Sequence, residues 1–171
     1  MKTDAFERSA MDAVLCLLTP TNRLVCLVAL CSGLRVSDVL DIKTAQLKSQ
    51  VFSVQEQKTG KRKRVYLPKA LYEACVSQAG KIFLFPNRLN GRKPRSRQAV
   101  WKDIKRVGKL LKLKGNAGSH SFRKTYAKAL KARGWSDAQV QKALNHSDLA
   151  VTLLYTYADE VHEKRFKNGM H

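Results

Sequence analysis

Two arginines, two histidines and one tyrosine are spread along the chain and together could cleave a phosphodiester. They are Arg35, His120, Arg123, His146 and Tyr155. Arginine forks can hold the non-bridging oxygens of a phosphate, which gain negative charge during attack. A tyrosine hydroxyl can be the nucleophile, but its usual pKa of about 10 requires a nearby base or cationic surroundings, which the histidines offer.

Three short motifs carry these residues. The first, residues 29–40, contains Arg35 and the acidic Asp38; the second is His120-x-x-Arg123; the third begins at residue 144 and ends in the tyrosine. In their order and separations these motifs resemble the catalytic domain of the tyrosine recombinases, the phage integrase family. The resemblance extends from about residue 21 to residue 157.

The resemblance implies a fold and a reaction. The expected fold is mainly α with a small antiparallel β-hairpin, an α+β class. The expected reaction is attack of Tyr155 on a DNA phosphate, giving a 3′-phosphotyrosyl enzyme and a free 5′ hydroxyl. Tyr157 is the next candidate for the nucleophile.

The resemblance also implies roles for the other residues. Arg35 and Arg123 would hold the phosphate, with Asp38 orienting Arg35. His120 would help to deprotonate the tyrosine or stabilise the phosphate, and His146 would donate to a phosphate oxygen.

A lysine is needed because the departing 5′ oxygen must be protonated. The family places this lysine in a hairpin turn, and Lys58 within residues 57–60 matches that pattern best, with Lys61 and Lys63 as alternatives. The competing interpretation is that all three lysines only neutralise DNA phosphates.

The charge of the chain points to a polyanionic partner on independent grounds. There are 33 Lys and Arg against 13 Asp and Glu, a formal net charge of +20. The basic residues occur in several segments, which predicts a basic folded surface, and the resemblance implies that this surface binds double-stranded DNA. The predicted DNA contacts are Lys61, Arg62, Lys63, Arg64, Arg95, Arg97 and Lys102.

Helices and one hairpin must bring the motifs together. Apolar spacing predicts helices over residues 11–18, 22–31, 97–111, 122–132, 137–144 and 149–158, with a further helix from Pro68 to about residue 79. Thr19 and Pro20 provide the cap and start of the second helix, and Gly33 ends it. Strands over 51–54 and 64–67 flank a glycine turn.

The length predicts one catalytic domain over residues 1–171, with its core at about 11–158. We expect the N-terminal DNA-binding domain of the family to be absent. The charged tail at 159–171 is either mobile or docks on a neighbouring protomer, and we expect a homo-oligomer, a tetramer on DNA, that forms through this tail. We expect no signal peptide and no membrane span, hence a cytoplasmic protein of bacterial or phage origin.

Metal and cofactor motifs are not found in the sequence. There is no His-Glu-x-x-His, no clustered acidic triad and no Gly-x-x-x-x-Gly-Lys-Ser/Thr loop, so we expect no metal, no cofactor and activity in EDTA. Two alternatives stay open: a type IB topoisomerase-like enzyme that relaxes supercoils, and a non-catalytic DNA-binding regulator with the same fold.

Overall fold

The computed structural model describes residues 8–113 and 117–144. Within these ranges it is mainly helical with one two-stranded antiparallel sheet, which confirms the predicted α+β class. The elements in chain order are α1 (Arg8–Leu17), α2 (Pro20–Ser32), α3 (Val36–Leu40), a 3-10 turn (Thr44–Gln46), β1 (Val51–Gln55), β2 (Arg62–Tyr66), α4 (Lys69–Ser77), α5 (Arg97–Leu110), α6 (Ser119–Ala132) and α7 (Asp137–Ala143).

Helix α2 is the central element of the core. It contacts α1, α3, α4, α5 and α6. Its side chains are apolar on most sides, as expected for a helix that is surrounded by other helices. The buried apolar side chains of α2 are Val25, Cys26, Val28, Ala29, Leu30 and Cys31.

The junction between α2 and α3 sets the position of Arg35. Gly33 ends α2 in the left-handed region, with φ of 65°, and its N–H donates to the carbonyl of Ala29. A Cβ atom at Gly33 would lie 2.9 Å from the ring of Tyr126 on α6, so glycine is needed for the close approach as well as for the turn. Arg35 follows as the residue before α3, which confirms the predicted helix boundary.

The hairpin directs alternate side chains into the core. Val54 lies opposite Lys63, and the turn at residues 56–61 includes Gly60 with φ of 66°. Side chains alternate between the two faces of a strand, so one face of this hairpin is buried and the other exposed. The buried side chains are Phe52, Val54, Lys63 and Val65. The predicted hairpin is confirmed, and its second strand begins two residues earlier than predicted.

A buried carboxylate attaches α5 to the start of α2. Asp103 Oδ2 accepts hydrogen bonds from the Thr19 N–H, the Thr19 hydroxyl and Asn22 Nδ2. Thr19 stands at the predicted capping position, but its side chain makes no capping bond because its hydroxyl donates to Asp103. These bonds satisfy a carboxylate that is only 7% exposed.

Two predicted elements lie outside the described residues, namely the helix over residues 149–158 and the tail at 159–171. In the part of the chain that is described, no helix combines the length and the apolar character needed to cross a bilayer.

Candidate active site

Two arginines from different parts of the chain share one buried carboxylate. Arg35 Nη1 donates to Glu56 Oε2 at 3.1 Å, and Arg123 Nη1 lies 3.6 Å from Glu56 Oε1. The side chain of Glu56 is 1% exposed, whereas those of Arg35 and Arg123 are 22% and 17% exposed. Both guanidinium groups therefore keep part of their surface open, as binding of a phosphate requires. We call these three residues the arginine cluster.

Asp38 is a second carboxylate beside Arg35. It is buried, and its Oδ2 lies 3.8 Å from Arg35 Nη1, one helical turn along α3. Its Oδ1 accepts a hydrogen bond from the Gln57 N–H at 3.0 Å. Asp38 therefore contacts the arginine that it was predicted to orient, and it also attaches α3 to the hairpin turn.

His120 and Arg123 lie on the first turns of α6. Gly118 precedes the helix, and its N–H donates to the hydroxyl of Ser121. His120 is exposed at the second helical position, and Arg123 follows three residues later on the same side of the helix. Partial burial and the positive charges of Arg97, Arg123 and other cations lower the pKa of His120, so the neutral imidazole, which can accept a proton, is favoured at neutral pH.

The two candidate general acids lie in different environments. Lys58 is exposed in the hairpin turn, next to Thr59, whose hydroxyl donates to Glu56 Oε2 at 2.8 Å. Lys63 is 1% exposed, and its Nζ donates to the carbonyl of Leu144 at 2.8 Å. Leu144 is the first residue of the third motif and the last residue of that motif that the structure describes, and Arg123 Nη2 also donates to its carbonyl, at 3.4 Å.

The surroundings of Lys63 disfavour its charged form. Burial and the positive charge of Arg123 lower its pKa to about 7, although Glu56 acts in the opposite direction. At neutral pH the ammonium form and the neutral amine are therefore both populated.

The predicted DNA contacts fall into three groups. Lys61, Arg62, Arg64, Arg97 and Lys102 are exposed, as a phosphate contact requires. Arg95 is half-buried, and its Nε donates to the side-chain carbonyl of Asn22 at 2.6 Å. Lys63 needs a correction: it points into the core on the buried face of β2, so it does not belong to the exposed basic surface.

Glu56 was not identified from the sequence, although a signal for it exists. Alternation along the first strand continues from Phe52 and Val54 to Glu56, and along the second from Val65 back to Lys63. The same face that buries apolar side chains at the open end of the hairpin thus carries an acid and a base near its turn.

Two predicted site residues, His146 and Tyr155, lie outside the described residues, as do Thr152 and Tyr157. The described part of the chain therefore contains Arg35, Asp38, Lys58, His120 and Arg123 of the predicted site.

Comparison with known proteins identifies the family. The pattern of the phage integrase family matches residues 9–162, and the chain belongs to this family. A tyrosine recombinase XerD of Staphylococcus aureus is 37% identical over 79 residues, which are 46% of this chain and 27% of XerD. A probable integrase/recombinase YoeC of Bacillus subtilis is 30% identical over 135 residues, which are 75% of this chain and 73% of YoeC.

Solved structures share the fold at low sequence identity. The lambda integrase catalytic core has a TM-score of 0.64 at 19% identity, over 84% of this chain and 91% of that one. A lambda integrase bound to DNA has a TM-score of 0.67 at 20% identity, over 88% and 59% of the two chains. XerA recombinase has a TM-score of 0.65 at 18% identity, over 100% and 66%. The recombinase fold is therefore shown.

Replacement of Lys63 by Met should change how stability depends on pH. The folded protein holds the pKa of Lys63 near 7, whereas an unfolded lysine has a pKa of about 10.4. Between these values the unfolded chain binds more protons, so the wild-type free energy of unfolding should rise with pH relative to that of Lys63→Met, by at most about 1.4 kcal/mol per pH unit. Denaturant unfolding at several pH values measures this difference.

The matched control is Lys61→Met, which removes an exposed lysine from the same hairpin. Its free energy of unfolding, plotted against pH, should run parallel to that of the wild type over the whole pH range. If Lys63→Met also runs parallel to the wild type, Lys63 does not titrate near neutral pH in the folded protein.

Proposed function

We propose that this chain is the catalytic domain of a site-specific DNA recombinase that cleaves and rejoins strands through a tyrosine. The observation that supports this most strongly is the convergence of Arg35 and Arg123, from two separate family motifs, on one buried carboxylate. The match covers only 27% of XerD, so this similarity does not by itself give the chain the activity of a complete recombinase. That activity is proposed here.

The reaction begins with attack of the Tyr155 hydroxyl oxygen on a DNA phosphorus atom. A bond forms between this oxygen and phosphorus, the bond from phosphorus to the 5′ oxygen breaks, and a 3′-phosphotyrosyl enzyme and a 5′ hydroxyl result. In the reverse direction a 5′ hydroxyl from another strand displaces the tyrosine. Bond energy is kept in the ester, so strand exchange needs no ATP.

The charged residues stabilise the phosphate as negative charge develops on it. Arg35 and Arg123 are partly open cations that bind the non-bridging oxygens. His120, with its lowered pKa, accepts the tyrosine proton or stabilises the phosphate. His146 follows Leu144 by two residues in the sequence, and we assign it the role of a donor to a phosphate oxygen.

We assign the general acid to Lys58. Its ammonium group is exposed, so it can reach a DNA strand, and its neighbour Thr59 connects the turn to the arginine cluster. Lys63 is the competing assignment. Its lowered pKa suits proton donation, but its ammonium group is buried and donates to a backbone carbonyl.

The proposed partner is double-stranded DNA, bound by the exposed basic residues of the hairpin and α5. Related structures include a lambda integrase dimer bound to a core site and a tetramer bound to a Holliday junction. We propose that this chain likewise acts as an oligomer on DNA, with residues 159–171 docking on a neighbouring protomer, as one cytoplasmic catalytic domain.

Removal of the nucleophile should abolish covalent trapping on DNA. A nicked duplex whose short downstream fragment diffuses away would trap the wild-type protein as a covalent adduct, visible as a slower band on a denaturing gel. Tyr155→Phe should give no adduct, because it lacks the attacking oxygen, and the wild type should react equally in EDTA. The matched control is Tyr157→Phe, which should form adduct at a rate close to that of the wild type.

Three results would contradict the proposal in different ways. An adduct with Tyr155→Phe but not with Tyr157→Phe would move the nucleophile to Tyr157. No wild-type adduct on any nicked duplex, with DNA binding retained, would favour the non-catalytic regulator. Relaxation of supercoiled DNA without exchange between sites would favour the topoisomerase-like enzyme.

A substrate with a sulfur leaving group should distinguish the two lysines. Lys58→Ala should slow cleavage of an ordinary strand on the order of 100-fold or more, the usual contribution of general acid catalysis. A substrate with sulfur at the bridging 5′ position should restore most of this loss, because a thiolate leaves without a proton. Gel quantification of adduct against time measures both rates.

In the same assay Lys63→Met should not be rescued by the sulfur substrate, since its effect would arise from lost contacts in the site. Lys61→Ala is the matched control in the hairpin and should show no selective rescue. If the sulfur substrate rescues Lys63→Met and not Lys58→Ala, the general acid is Lys63.

A further inference from the structure

We propose that Glu56 is a positioning residue, which holds the two phosphate-binding arginines in a fixed relation to the turn that carries the general acid. This inference rests on the proposed function and adds to it a residue that lies outside the three sequence motifs.

The first observation is that one carboxylate serves both arginines. Glu56 Oε2 accepts from Arg35 at 3.1 Å, and Oε1 faces Arg123 at 3.6 Å. Burial pushes the pKa of Glu56 upward, but the Thr59 hydrogen bond and the charges of Arg123 and Arg35 outweigh it, so the net shift is downward and Glu56 is ionised at neutral pH. A fixed negative charge thus lies between two cations that would otherwise repel each other.

The second observation is that the same carboxylate holds the turn. Glu56 Oε2 also accepts from the Thr59 hydroxyl at 2.8 Å. The backbone of Glu56 closes the turn as well, since its carbonyl accepts from the Gly60 N–H at 2.8 Å and its N–H donates to the Lys61 carbonyl at 3.0 Å. Lys58 lies within this loop between Gln57, whose N–H donates to Asp38, and Thr59.

The third observation concerns the partners of Arg123 within the described residues, where its Nη2 makes one long hydrogen bond, at 3.4 Å, to the carbonyl of Leu144. Burial and the positive charge of Arg35 lower the pKa of Arg123, which shows that its surroundings oppose the charge. Among the described residues, Arg123 Nη1 and Glu56 Oε1 have no hydrogen-bond partner. The charges of Glu56 and Asp38 offset the repulsion from Arg35, and among the described residues Glu56 is the carboxylate within ion-pair distance of Arg123.

Loss of this carboxylate charge should impair the chemical step more than DNA binding. Arginines that are misplaced by a fraction of an ångström bind a ground-state phosphate almost as well but stabilise its transition state poorly. Most of the DNA contact surface lies on other residues, so affinity should change little.

The test compares Glu56→Gln with the wild type on two nicked substrates. One carries an ordinary phosphate at the scissile position, and the other carries a methylphosphonate, which lacks one charged oxygen. On the ordinary phosphate, Glu56→Gln should slow adduct formation on the order of 100-fold, comparable to removal of one preorganised donor. On the methylphosphonate the ratio of wild-type to variant rate should be much smaller, because less charge has to be stabilised.

The matched control is Glu73→Gln, the same substitution at an exposed acid on α4, and it should react like the wild type on both substrates. A merely structural role of Glu56 would lower both rates equally and would overturn the inference. Equal rates for Glu56→Gln and the wild type would also overturn it, while leaving the proposed function intact. Absence of any wild-type adduct would overturn the proposed function and this inference together.

A second variant keeps the test decisive if Glu56→Gln does not fold. Thr59→Val removes the hydroxyl that donates to Glu56 and accepts a long hydrogen bond from the Lys61 N–H, at an exposed position. It should still fold, with a slightly lower melting temperature, and slow cleavage of the ordinary phosphate about fivefold, as loss of one ordinary hydrogen bond would. An unchanged rate for Thr59→Val would contradict the inferred link between the carboxylate and the turn.

Discussion

Positive charges can be gathered in a partly buried site only if negative charges lie among them. Arg35, Arg123 and Lys63 come from three separate segments, and each would repel the others in a medium of low polarity. Glu56 and Asp38 supply the opposing charge: one carboxylate contacts both arginines, and the other lies beside Arg35. Because both arginines lie against these acids, the rest of the proposed site depends on this balance.

The fold produces this balance with few elements. The close approach of Gly33 to the ring of Tyr126 brings the junction between α2 and α3 against α6, which places the two arginine motifs side by side. The hairpin then inserts Glu56 between them, while its apolar side chains anchor it in the core. The same turn carries Lys58, so the arginines that we propose to bind phosphate and the lysine that we propose as general acid are connected by one short segment.

Much of the fold could be predicted from local patterns. Apolar spacing identified the helices, and Gly33 marked the boundary before Arg35 because only a glycine fits that turn without strain. The hairpin was identified by its β-rich runs and glycine turn. Lys63 was assigned to the surface because a run of basic residues suggested DNA contact, although strand alternation from Val65 places it inside.

Glu56 was harder to identify because its role depends on tertiary contacts. The alternation from Val54 predicts that it faces inward, but no local pattern shows that α6 brings Arg123 to the same place. The role of a buried acid depends on which cations surround it in the folded protein. Family motifs identified the arginines that we propose to bind the phosphate, whereas the carboxylate between them could be identified only from the assembled structure.

The central claim is that the arginine cluster presents a DNA phosphate to Tyr155, and peptide mapping tests it most directly. The wild-type protein would be trapped on a nicked duplex and digested with nuclease and trypsin, and the modified peptide would then be fragmented in a mass spectrometer. Cleavage after Lys142 and Lys164 yields one peptide that contains both Tyr155 and Tyr157. The account predicts a 3′-phosphonucleotide on Tyr155; the modification on Tyr157 or on any residue outside this peptide would contradict it.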